Sequence, residues 1–239
     1  MPYRLPKLTF ADQRIDYAMS GEDGIVEKIF NHITPASKTF VEIGINWNGD
    51  EFSQGRHVLQ GNTVLLAERG WTGWWFDAVA IDERIIETMI TPLNINRLFR
   101  QHGIPGDVDL FSLDVDGQDF WIWMALQARP RVVLLEVNSH FDPDETKSVE
   151  FDADASWQGD SYYGASIGAF NALARDKGYT LVYYNAANAF FVRDDLLSNP
   201  EDFKYDEIAY RYDFHKPCPP DRVWVDVIGA SARSRGDWR

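Results

Sequence analysis

At 239 residues, with 45% hydrophobic content and nine tryptophans, the chain has the length and apolar content of one α/β domain with a large core. Its formal net charge of −14 argues against a nucleic-acid backbone or an anionic membrane as partner, because both are bound through clustered Lys and Arg. The one cysteine, Cys218 in KPCPP, leaves no internal disulfide and no Cys-rich metal centre, and reads as an ordinary loop thiol. MPYRLPKLTF lacks the charged-then-apolar pattern of a secretory leader, and no apolar run has the length of a membrane span. A soluble cytoplasmic protein is the expectation.

Residues 1–19 carry two prolines and weak periodicity, which predicts an irregular arm. Ser20-Gly21-Glu22-Asp23 reads as a capping box with Ser20 at the N-cap, and Ile25, Val26, Ile29 and Phe30 form the stripe of a helix ending near His32. A strand is expected at Thr39–Ile43, followed by the long turn INWNGDEFSQGRHVLQG. Asn62 can cap a helix running to Arg69, with Gly70 at its C′ position. A second strand covers Gly73–Asp77. The link AVAIDER is too short for a crossover helix, and Ile85–Ile90 reads as a third strand. Thr91-Pro92 suits the N-cap and first position of a helix running to about Gln101 and closed by Gly103.

Asp109–Leu113 is a fourth strand, Phe120–Gln127 a short aromatic helix broken before Pro130, and Val132–Val137 a fifth strand. The acidic segment His140–Tyr163 is loop-like and longer than ordinary connections, a length usually tied to function. Gly164–Lys177 is a helix with the stripe Ile167, Phe170 and Ala174, ended by Gly178. Tyr179–Tyr184 and Ala189–Val192 form an antiparallel hairpin across NAAN, and WVDVI reads as a late strand. The fold class is therefore α/β: a Rossmann-like, doubly wound sheet, mostly parallel with one antiparallel edge strand.

Four blocks, FVEIGINWNG, GWWFDA, DLFSLDVDG and VVLLEVN, are apolar runs that end in an acid or a Gly/Asp/Asn turn. In open α/β sheets the ligand sits beyond the carboxyl ends of the strands. Glu42, Asp77, Asp114, Asp116, Glu136 and Asn138 therefore converge on one rim, where so many polar groups are costly unless a ligand uses them. Gly44, Gly49 and Gly55 do not have the G-x-G-x-x-G spacing of a dinucleotide fingerprint, and the Asn-, Asp- and Glu-rich loop around them would repel pyrophosphate.

In order and spacing, the blocks SGEDGIVEKIF, FVEIG, NTVLLAERGWTGWWFDA, DVDLFSLDVDGQDFW, RVVLLEVN and YYGASIGAFNALARDKGYTLV resemble the S-adenosylmethionine-dependent methyltransferases, and within them the FkbM-like group. The resemblance spans roughly 20–196. It implies an N-terminal arm at 1–19, a methyltransferase-like domain at 20–196 and a C-terminal extension at 197–239 packed on the same domain. It implies S-adenosylmethionine as cofactor, held by Glu22, Asp23, Glu42, Gly44, Asn46, Gly49, Asp77 and Asp114. Glu42 and Gly44 would face the methionine moiety, and Asp77 would accept the ribose hydroxyls. The chain departs from the family's compact acidic-x-Gly-x-x-x-Gly turn by inserting EFSQGRHVLQG, and its link after Asp77 is short.

Asp114 and Asp116 leave one strand, Glu136 and Asn138 its neighbour, and residues i and i+2 share a strand face. Such a cluster can act as general base toward an O- or N-methyl acceptor, as an Mg²⁺ ligand set, or as a clamp for an amine or guanidine. Alternatively, Asp114 and Glu136 cap backbone amides and Asp116 belongs to the DG turn. His140 adds an acid/base group beside the rim, or is an exposed loop histidine. Trp157, Asp160, Tyr162 and Tyr163 are candidates for the acceptor pocket. Methyl transfer to a small polar acceptor is the expected activity, with a non-catalytic metabolite-binding protein and, behind it, a nicotinamide-dependent oxidoreductase as alternatives. A homo-oligomer is compatible with all three.

Overall fold

A computed structural model describes residues 1–48, 58–152, 155, 157–210 and 222–227. In chain order its helices are α1 (Glu22–His32), α2 (Val64–Glu68), α3 (Ile95–Gln101), α4 (Asp119–Ala125), α5 (Ile167–Lys177) and α6 (Tyr205–Ile208). The strands are β1 (Thr39–Ile43), β2 (Asn46–Asn48), β3 (Val58–Gln60), β4 (Thr72–Asp77), β5 (Ile85–Glu87), β6 (Leu110–Leu113), β7 (Val132–Glu136), β8 (Lys147–Val149), β9 (Tyr179–Tyr184), β10 (Asn188–Arg193) and β11 (Trp224–Asp226). No described helix is long and apolar enough to cross a membrane.

Seven strands make one sheet in the order β5-β4-β1-β6-β7-β10-β9. Only β10 runs against the others: it pairs antiparallel with β7 and with β9, second from one end of the sheet. This is the class I, Rossmann-like arrangement expected from the alternation of strands and helices and from the closing hairpin. The central strands are apolar on both faces because both faces are covered. Val41, Phe76, Phe111, Val133 and Phe191 pack under α3, α4 and α5. Phe40, Trp75, Leu110, Leu134 and Phe190 pack under α1, α2 and the N-terminal arm.

That two-residue alternation decides where the acids go. Glu42 follows Phe40 by two, Asp77 follows Trp75, Asp114 follows Ser112, and Glu136 follows Leu134. All four therefore share the face covered by α1 and α2, at the carboxyl ends of adjacent parallel strands.

Several local expectations are corrected. The N-cap of α1 is Gly21 in the left-handed region (φ +91°), not Ser20. Asp23 instead accepts the amides of Asp16, Tyr17 and Ala18 at 2.7–2.8 Å, so it folds the arm back onto the helix. Helix α3 starts at Ile95, because the Asn94 side chain accepts the Thr91 amide and turns 91–94 outside the helix. The third strand stops at Glu87. Inside the long acidic connection, β8 pairs antiparallel with β11, which ties the C-terminal segment to the domain. Gly49 and Cys218 lie outside the described residues.

The start of the fourth strand carries a buried ion pair. Asp109 is 0% exposed; it accepts the amides of Ala36 and Ser37 at 2.7 and 2.9 Å and sits 3.0 Å from Arg131 Nε. Asp109→Ala strands those amides and leaves Arg131 uncompensated, so a loss of about 3–5 kcal/mol is expected in urea unfolding. A loss below about 1 kcal/mol would show that water replaces the carboxylate.

Candidate functional site

A cavity of about 470 Å³ opens at the carboxyl ends of β4, β1, β6 and β7. This volume suits a nucleoside-sized ligand. Six carboxylates line it: Glu22, Glu42, Asp77, Asp114, Asp116 and Glu136. No Lys, Arg or His is among its described lining residues. Ala78, Met89, Ile90 and Val115 supply apolar wall, and Trp157 comes in from the long connection.

Glu42 is 1% exposed, and its carboxylate faces the start of α2. Oε1 accepts the Asn62 amide at 2.6 Å; Oε2 accepts the Thr63 amide at 3.1 Å and the Thr63 hydroxyl at 2.5 Å. It thus anchors a helix N-terminus, a natural place for a negative charge. Burial nevertheless pushes its pKa up to about 7, against the pull of those donors. Gly44 is required for a reason the turn motif does not reveal. Its φ is +81°, and a Cβ there would lie 1.5 Å from the Asp114 carbonyl oxygen. The close approach it permits is thus to β6 as well as to whatever fills the cavity.

Asp77 is half-buried at the end of β4, with Oδ1 accepting the Val79 amide at 3.0 Å. Glu22 is buried and joins α1 to the β9–β10 turn: Oε1 accepts from Asn185 Nδ2 and Asn188 Nδ2 at 2.9 and 3.0 Å, and Oε2 from the Ser20 amide at 2.7 Å. Asn46 lies on β2. Asp23 is taken up by the N-terminal arm and does not line the cavity.

Asp114, Asp116 and Glu136 each offer an oxygen within 4.8 Å of the others. Asp114 and Glu136 lie side by side at the ends of β6 and β7. Burial raises both pKa values well above the carboxylate range, and mutual repulsion with the neighbouring acids raises them further. Burial also raises Asp116, whose backbone sits at φ +52° in the DG turn. Asp119, not singled out by motif, holds that turn: its oxygens accept the Val115 and Gly117 amides at 2.9 and 3.0 Å, and burial lifts its pKa to about 6. The trio's oxygen spacing and ligand type suit a divalent cation such as Mg²⁺ after a small contraction.

Asn138 and His140 do not line the cavity. Asn138 Nδ2 donates to the Ser161 and Tyr163 carbonyls at 3.0 and 2.9 Å, and its Oδ1 accepts the His140 amide. It closes the ends of the long connection onto β7. Tyr162 is drawn toward the C-terminal segment, donating to the Val223 carbonyl at 2.7 Å and packing its ring at a tilt against Trp224. Tyr163 stays near the acids, and burial together with Glu136 raises its pKa. The Trp157 indole donates to the Asp160 carbonyl at 2.8 Å, which orients its ring. Asn62, read in sequence only as a helix cap, Met89 and Ile90, read as the end of a strand, and Asn188 were not singled out for the cavity; the first three sit in connections whose path only the folded sheet sets.

The raised carboxyls predict an inverted pH profile. Their folded forms keep protons that the unfolded chain releases near pH 4, so stability falls as pH rises from about 4.5 through about 7. The apo protein is expected to melt several degrees higher at pH 5.5 than at pH 8 in 0.5 M NaCl, where general charge repulsion is screened. A midpoint that is flat or rises over that interval would contradict the assignment.

No family model matches the chain, and no curated protein is detectably similar to it. Among solved structures it is similar to the MycE methyltransferase of the mycinamycin biosynthetic pathway. The form in complex with Mg, SAH and mycinamycin VI shows 16% identity and a TM-score of 0.38 over 66% of this chain. A second crystal form with Mg and SAH shows 14% identity and a TM-score of 0.39 over 67%. The chain spans about 45% of the length of those MycE chains.

Proposed function

We propose that the protein transfers a methyl group from S-adenosylmethionine to a small polar acceptor. The observation that carries the reading is the cavity: six carboxylates and no described cationic side chain, at the ligand-binding rim of a class I sheet. Such a lining repels phosphates and favours a ligand that brings a sulfonium, an ammonium and ribose hydroxyls as donors. Asp77 would accept the ribose hydroxyls, and Ala78, Met89, Ile90 and Val115 would flank a flat base. Asp114, Asp116 and Glu136 would face the acceptor, either taking its proton or holding Mg²⁺, which would lower the acceptor's pKa. The chain's own task is then alignment of donor and acceptor and removal of one proton.

The test is ligand-dependent melting. S-adenosylhomocysteine at 100 times its Kd should stabilise the fold by about 2.7 kcal/mol, roughly 5–10 °C for a chain of this size. Asp77→Ala should remove most of that shift. A shift with NAD and none with S-adenosylhomocysteine at millimolar levels would sink the reading. The second reading, a non-catalytic metabolite-binding protein, is favoured by Glu42, whose carboxylate is committed to α2. It predicts S-adenosylhomocysteine binding without turnover on any alcohol or amine.

A further inference from the structure

Two buried acceptors in the cavity wall have no donor. Asn188 is 7% exposed and gives its Nδ2 to Glu22, yet its Oδ1 is buried without a partner. Glu136 Oε2 is likewise buried and unpartnered. The two residues are directly opposite in the antiparallel β10–β7 register, where side chains of one face stand about 5 Å apart. Glu22, just behind Asn188, has its Oε1 filled by two amides. Orphaned buried acceptors are rare because each forgoes the hydrogen bonds it had in water. One ligand group can serve both: a donor with several N–H bonds and a positive charge, beside which Asp114 and Glu136 can give up the protons that burial holds on them.

We infer that the Glu136–Asn188 wall is a subsite for a primary alkylammonium group. The inference rests on the reading of the cavity as the ligand site, and it narrows the ligand to one bearing an amine. A cavity of about 470 Å³ is sized for an organic amine, not an ion alone. Trp157, 44% exposed, lines the same cavity and can meet the alkyl stem or the charge. The ammonium has two sources: the α-amino group of the methionine moiety, or a separate amine acceptor.

The experiment titrates the full chain with putrescine and with benzylamine, each against its matched alcohol, butane-1,4-diol and benzyl alcohol. Ionic strength is fixed and binding is read by calorimetry, with and without saturating S-adenosylhomocysteine. Amines are expected to bind at least tenfold more tightly than the alcohols. Amine binding that persists with S-adenosylhomocysteine bound assigns the wall to a separate acceptor; mutual exclusion assigns it to the methionine ammonium; either result supports the subsite. Asn188→Ala should weaken amine binding at least tenfold. In Glu136→Gln the new amide can donate to Asn188 Oδ1, so amine binding should be lost while the melting temperature rises, a combination that damage to the fold would not produce.

Equal affinity for amines and alcohols, or stabilisation by MgCl₂ with indifference to amines, overturns the inference. If this happens while S-adenosylhomocysteine still binds, methyl transfer stands and the subsite falls. Amine binding without S-adenosylhomocysteine binding leaves the subsite standing and removes the methyl-transfer reading.

Discussion

Gly44→Ala should yield little or no folded protein. The residue lies at φ +81°, and an added Cβ would meet the Asp114 carbonyl oxygen at 1.5 Å. No rotamer relieves a clash between two backbones. β1 and β6 would have to part where Ile43 pairs with Leu113, in the middle of the sheet. Left-handed strain alone is worth about 1–2 kcal/mol, and overpacking together with the lost pairing should bring the loss above about 4 kcal/mol. Gly103→Ala is the control: its φ is +63°, but a Cβ there meets nothing within 4 Å, so only the strain remains. The comparison is made by soluble yield and urea midpoint. If Gly44→Ala and Gly103→Ala cost the same, the contact with Asp114 has no energetic weight.

Asp116→Asn should cut turnover about 10²-fold or more, once an acceptor is in hand, and leave S-adenosylhomocysteine affinity within a factor of about two. The substitution is mild for the backbone, since Asn tolerates the left-handed region that Asp116 occupies at φ +52°. It removes charge from the trio and leaves Asp119's hold on the Val115 and Gly117 amides in place. A chelator separates two mechanisms. Activity lost with EDTA and restored by Mg²⁺ would place a cation among Asp114, Asp116 and Glu136, and indifference would leave a direct base. Unchanged turnover in both Asp116→Asn and Asp114→Asn would make the cluster structural.

The sheet was legible in the chain because a buried parallel strand needs four or more apolar residues, and four such runs here end in an acid or a Gly/Asp/Asn turn. The two-residue period then carried Glu42, Asp77, Asp114 and Glu136 to one face without any knowledge of contacts. The closing hairpin was equally plain, since NAAN between two apolar runs leaves room only for a reversal. Helix starts were less legible. Ser20 and Thr91 had the chemistry of caps, yet the arm folded back by Asp23 and the turn held by Asn94 moved the first turns downstream.

Tertiary structure alone decided which polar groups remain available to a ligand. Glu42 and Asn138 look like rim residues in sequence, but one is committed to the start of α2 and the other to the ends of the long connection. Asn188 looks like a turn residue, but its carbonyl ends buried without a donor beside Glu136. Periodicity fixes the face a side chain takes, because that is a local property of the backbone. Hydrogen-bond satisfaction depends on partners far along the chain, 166 residues apart for Glu22 and Asn188, and is settled only when the sheet and its connections have packed.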